Sequence, residues 1–194
     1  MYPIVSVFKN PPDGGRGYHR DMRVRWALEE VHQPYRLRLL SFSDMRRPQY
    51  RQLHPFGQMP TYEDGDLVLF ESGAIVHHIA YTYPGLLPPD AHDRSRAVMW
   101  MFAALNTIEP CISSGSAGYL LQRLHELERV LGHDEWLDGG FSAGDLLMVS
   151  VLRLLRGSDV LGDTPNLEAY IARAEARPAF QRALKMSSEL ARSA

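Results

Sequence analysis

The spacing of apolar positions changes three times within the first eighty residues. Residues 4–8, IVSVF, form a short β-branched run closed by KNPPDGG, which predicts a buried strand followed by a loop. The period then lengthens. Val24, Ala27, Leu28 and Val31 recur at i, i+3, i+4 and i+7, one face of a helix. PYRLRLLSF alternates again and predicts a second strand. Strand, helix, strand in this order predicts a parallel pair joined by a right-handed crossover. TYE and LVLF next flank Asp64-Gly65, a favoured two-residue hairpin turn. SGAIVHHIAYTY reads as a helix with Ser72 as its N-cap.

Beyond the proline-rich PGLLPPD the pattern is helical throughout. DRSRAVMWMFAALNTIE predicts a helix that ends before Pro110. GYLLQRLHELERVLG sets Leu120, Leu124, Leu127 and Leu131 on one stripe. AGDLLMVSVLRLL is apolar nearly all round, as the central helix of a bundle would be, with Ser142 as its cap and Asp145 reaching back to the cap backbone. NLEAYIARAEARPAFQRALKM predicts two more short helices divided at Pro178. The fold class expected is α/β plus all-α: a βαβ-ββα domain over residues 1–83, a linker at 84–89 and a helical bundle over 90–194.

Composition narrows the function without naming it. The chain has 194 residues, 45% apolar and 23% charged, with a net charge of −2, as in ordinary globular proteins. No concentrated basic stripe points to nucleic acid. The arginines at 16, 20, 23 and 25 come nearest, and they read as a solvated helix face. One cysteine, Cys111, excludes an internal disulfide framework and a multi-cysteine metal site, and fits a reducing compartment. Its place after Pro110 suggests a buried small hydrophobe. The opening MYPIVSVFKNPP is too short for a signal peptide or membrane span and lacks a basic start, so a cytoplasmic protein is expected. His77 and His78 are adjacent on a helix, cannot share a face and lack metal-ligand spacing, so no metal is expected. Trp100, Met99, Met101 and Phe102 read as core packing.

The chemistry concentrates in HPFGQMPTYEDGDLVLFESGAI, residues 54–75. Pro60 at the start of a strand removes no ladder bond. With the Met59-Pro60 bond cis, the chain would turn sharply and present the Met59 N–H and C=O as an edge for an extended peptide. Ser72 heads a helix whose free N–H groups and positive dipole end attract a carboxylate. Glu71 suits an ammonium group, and Gln58 adds a neutral polar arm. Together these residues suit a short peptide with a free α-amino-acid head. Singly, each reads as a structural cap or turn.

FGQMPTYEDGDLVLFESGAI resembles the glutathione-binding segment of the glutathione transferase superfamily, which runs Pro-x-Gly-x-Val-Pro, a strand pair, then Glu-Ser-x-Ala-Ile. RVRWALEEVHQPY resembles that family's first helix and second strand, FSAGDLLMVSVL the start of its central C-terminal helix, and ARPAFQRAL its C-terminal segment. The resemblance implies a thioredoxin-like first domain, a helical second domain and a homodimer. It implies that Met59, beside a cis Pro60, pairs with the cysteinyl backbone of glutathione, and that Glu71 and Ser72 hold its γ-glutamyl end. It leaves Ser142 and Asp145 to folding.

Glutathione reacts as a thiolate, and a thiol of pKa about 8.5 is only slightly ionised at neutral pH. A hydroxyl hydrogen-bonded to sulfur, aided by a helix N-terminus, lowers that value; a shift of roughly two units corresponds to about 2.7 kcal/mol. In family members using serine or cysteine, the working residue sits six positions before the helix valine. Here that position is Tyr18. The loop from Lys9 is longer than the family's, and tyrosine-using classes place their residue nearer strand 1, where this chain has Asn10. Arg20, Arg16 and Asn10 therefore stand as alternative donors. The motifs of thiol-transfer classes, which carry a cysteine here, are absent from this segment. The activity implied is conjugation of glutathione, as co-substrate, to a small apolar electrophile. Disulfide or peroxide reduction, ether cleavage, or a non-catalytic regulatory module on the same fold are the alternatives. Arg51 and His54 are candidate cations for the glycine carboxylate.

Overall fold

The computed structural model describes residues 2–193. The chain divides into two compact units: the first runs to Tyr83 and takes in the chain from Pro178 onward, and the second is Pro84–Arg177.

In the first unit, β1 (Ile4–Phe8), α1 (Asp21–Glu30) and β2 (Arg36–Leu40) form the parallel crossover. Two short helices follow, α2 (Phe42–Met45) and α3 (Pro48–Arg51), then β3 (Thr61–Asp64), β4 (Leu67–Phe70) and α4 (Ser72–Thr82). The strands order as β2-β1-β3-β4, with β3 antiparallel to both β1 and β4. The last helix, α10 (Pro178–Arg192), packs on α1. The hairpin turn lies one residue later than its sequence suggests. Asp64 pairs with Leu67, so Gly65 and Asp66 make the turn. Only Gly65 has positive φ, 60°, the sign pattern of a type II′ turn, in which glycine leads.

Helix α1 lies among β1, α4 and α10, and every residue from Asp21 to Leu28 is buried. The solvated arginine face expected from the sequence is therefore corrected at two of its four positions. Arg23 and Arg25 are only 3% and 2% exposed, whereas Arg16 and Arg20 are exposed. A buried guanidinium needs partners for its fixed fork of donors. Arg25 has them: its Nε and Nη2 reach Asp21 Oδ2 at 2.9 and 2.8 Å, Nη1 donates to the Ala183 carbonyl at 2.6 Å, and Nη2 donates to Ser187 Oγ at 2.7 Å.

The second unit contains α5 (Ala91–Ala103), a π-helical stretch (Ala104–Ile108), α6 (Glu109–Ser114), α7 (Ala117–Leu131), α8 (Ala143–Leu152) and α9 (Pro165–Glu175). Pro110 does not stop the helix at that point. The wider π stretch precedes it, and the proline falls in the first turn of α6, where its missing N–H costs little. Helix α8 is buried almost all round and is capped as its sequence predicts: Ser142 Oγ accepts the Gly144 N–H, and Asp145 Oδ2 accepts the Ser142 N–H. No described helix is long and apolar enough to cross a membrane.

Candidate functional site

The hairpin register brings the two halves of the candidate site together. Thr61 pairs with Phe70 at the open end of the hairpin, so Met59-Pro60 leads into one strand where Glu71-Ser72 leaves the other. Eleven residues of chain lie between Met59 and Glu71, yet the ladder brings the two ends of the hairpin together. The Met59-Pro60 bond is cis. Gln58 is exposed, Met59 half-buried and Pro60 buried, and the Met59 side chain packs on a cluster of Phe8, Leu40, Met45 and Tyr50.

Glu71 forms the whole connection between β4 and α4. It sits at φ 68°, ψ 113°, a region that a residue with a Cβ rarely adopts. Strain of this kind collects at functional sites. Ser72 is the first helical residue, not the cap; the cap position belongs to Glu71, whose side chain caps nothing. The first turn of α4 is thus left without a side-chain cap. Ser72 Oγ instead accepts from Arg23 Nη1 at 3.2 Å, in a buried contact. A guanidinium behind an uncapped helix N-terminus adds to the attraction for an anion. Arg23 was missed by sequence reasoning, because nothing local to α1 marks it as facing α4.

Tyr18 and Arg20 lie in the segment just before α1. Asp13 organises that segment: its Oδ1 accepts the Gly15 N–H at 3.0 Å and its Oδ2 the Tyr18 N–H at 2.7 Å. Arg16 donates to the Asp13 carbonyl and carries its guanidinium 5.3 Å from the centre of the Tyr18 ring. Gly15 lets the loop close on α10, since a Cβ there would meet the Ser187 carbonyl at 2.8 Å. Tyr18 is half-buried; Arg20 is exposed, at the α1 cap position, with its side chain making no cap bond. Asn10 and Arg51 are exposed. His54 is buried, with Nδ1 lacking a partner, 5.0 Å ring-to-ring from Phe70. Burial pushes its imidazole down while the charge of Glu71 draws it up; burial wins.

Residues 14–81 match the family model described as glutathione S-transferase, N-terminal domain. A glutathione S-transferase of Hyoscyamus muticus is 28% identical over 195 aligned residues, spanning 84% of this chain and 92% of that protein. Over residues 14–81 the chain is similar to the N-terminal domain of the glutathione transferase superfamily. Within the superfamily, glutathione S-transferase 1 of Triticum aestivum is 49% identical over 65 residues, 32% of this chain and 28% of the relative. A crystal structure of a glutathione transferase from Burkholderia graminis, with two glutathione molecules bound per subunit, superposes with a TM-score of 0.83 at 25% identity, over 95% of this chain and 88% of that one. The mixed sheet and helices of the first unit accordingly have the thioredoxin-like fold, and the second unit is all-helical.

Proposed function

We propose that this chain binds glutathione in its first unit and conjugates it to a small, largely apolar electrophile. What carries this is the hairpin register, which sets the Met59-Pro60 edge beside Glu71 and the α4 N-terminus. The Met59 backbone would pair with the cysteinyl residue of glutathione. Glu71 would face the γ-glutamyl ammonium, and Ser72 with the first N–H groups of α4 would hold the carboxylate, supported from behind by Arg23. Gln58 supplies a further polar contact. The sulfur then points toward the segment preceding α1, where the Tyr18 hydroxyl donates to it and Arg20 adds positive charge.

The chemistry balances simply. The thiol proton leaves to solvent, favoured by the hydrogen bond and positive charge around sulfur. The thiolate lone pair forms the C–S bond, and the leaving group departs with its bonding electrons. Holding the two reactants together supplies the rest of the rate. A cytoplasmic, thiol-reducing setting suits such a co-substrate, and a homodimer is the assembly we propose.

The test is the ultraviolet absorbance of glutathione thiolate bound to the protein, followed against pH, with turnover of chlorodinitrobenzene measured in parallel. Tyr18→Phe is expected to retain glutathione and to raise the pH of thiolate formation by about one to two units, a change worth about 1.4 kcal/mol per unit. An unchanged titration assigns the sulfur contact to Arg20, Arg16 or Asn10. Binding without turnover of electrophile, disulfide or peroxide contradicts the enzyme reading.

A further inference from the structure

The backbone that flanks Met59-Pro60 is held by a directional chain of three hydrogen bonds, two of them buried and the third, to the Gln58 carbonyl, part-buried. Tyr50 comes from α3, Ser6 from the centre of β1, and Thr61 opens β3. The Thr61 N–H donates to Ser6 Oγ at 2.7 Å. Ser6 Oγ lies 3.1 Å from the Tyr50 phenol oxygen. The Tyr50 hydroxyl donates to the Gln58 carbonyl at 2.7 Å. Proton count fixes the direction. A phenol has one hydrogen, and it goes to Gln58, which can only accept there. The middle bond must then be donated by the Ser6 hydroxyl, leaving the Ser6 oxygen free to accept from Thr61. The chain runs from the N–H that follows Met59-Pro60 to the carbonyl that precedes it.

Ser6 and Thr61 are fully buried and Tyr50 is 5% exposed, so water does not compete at the two bonds made by Ser6 Oγ. Burial also pushes the Tyr50 phenol above its ordinary range, which keeps it a donor. The Met59 side chain meanwhile packs on the cluster that contains the Tyr50 ring. Main chain on both sides of Met59, and its own side chain, are therefore anchored from one direction.

We propose that Tyr50 and Ser6 are positioning residues for peptide recognition, acting through the backbone of residues 58–61 to hold the Met59 N–H and C=O in the geometry that an extended ligand backbone requires. Neither residue touches the ligand. This rests on the glutathione-binding reading above. Pre-organised main chain binds without the ordering cost that a loose segment would carry. Tyr50→Phe keeps the ring in the cluster and removes only the link.

The experiment is calorimetric titration of glutathione itself into the full chain, its Tyr50→Phe and Ser6→Ala variants, the double variant, and Tyr35→Phe as a control that loses a phenol elsewhere in the same unit. Each single variant is expected to bind about tenfold more weakly, the double variant no more weakly than the poorer single one, and the control within twofold of the parent. With turnover as the readout, the KM for glutathione rises much more than kcat falls. Lower melting temperatures with unchanged affinity would overturn the proposal and leave glutathione binding intact. No binding by the parent would instead overturn the functional reading beneath it. Amide exchange on the parent covers the case in which the variants do not fold: the Thr61 N–H is expected to be among the protected core amides, and exchange at the rate of an exposed loop would contradict the clamp.

Discussion

Glu71 carries both a charge proposed to face the ligand and a backbone angle its own Cβ resists. Glycine relieves the second and removes the first. Glu71→Gly is therefore expected to be at least as stable as the parent, by up to about 1 kcal/mol in thermal unfolding, while losing retention on immobilised glutathione. His32, at φ 54° just past the end of α1, offers the same exchange without a functional cost, and His32→Gly should raise the melting temperature with glutathione retention unchanged. His54 gives a pH dependence whose sign follows from its burial. Its folded pKa is depressed, so as pH falls below about 6.5 the unfolded chain gains a proton that the folded chain resists, and stability drops. Denaturant titrations between pH 7 and 5 should show a shallower decline for His54→Asn. The segment around Met59 and Glu71 was legible in sequence because its residue types and order are themselves the signal. Arg23, Ser6 and Tyr50 were not. Their roles depend on partners brought up by other elements, Ser72 for Arg23 and Thr61 and Gln58 for the hydroxyl pair.

Most elements follow from local pattern, and the departures have local physical reasons. β1 runs over the residues its β-branched run predicts, and α8 starts at its Ser-x-x-Asp signal. The turn moved by one residue because glycine takes the leading position of a type II′ turn. Helices α2 and α3 are four residues each, too short to show a period. Helix α1 misled because its polar residues suggested water on one side, whereas three elements enclose it. Its buried pair makes a sharp prediction. Arg25→Ala leaves Asp21 buried without its cation and should cost about 3–5 kcal/mol in denaturant unfolding, more than replacing both residues by apolar ones. In α8, Asp145 accepts from the Ser142 and Leu137 N–H groups at 2.9 Å and from the Tyr170 hydroxyl at 2.8 Å. Burial still pushes its carboxyl up against these donors. Asp145→Ala strands them together, and a loss of about 2–4 kcal/mol is expected in the same measurement.

Across the chain, every residue proposed to touch glutathione belongs to the first unit, and so does every residue that holds those residues in place. The helical second unit was legible from its apolar stripes, except that Met99 and Phe102, expected in the core, are 52% and 61% exposed on α5. Its substrate preference has no sequence signature, because pocket shape depends on packing and not on a motif. A fold shared by many proteins does not by itself establish a reaction, so the decisive matter is whether the peptide is gripped at all. Calorimetric titration of millimolar glutathione into the parent chain and into Glu71→Ala decides it. Saturable one-to-one binding by the parent, weakened at least tenfold in Glu71→Ala with the melting temperature preserved, is the predicted result. No heat of binding at two temperatures, or equal affinity in the two proteins, would contradict it.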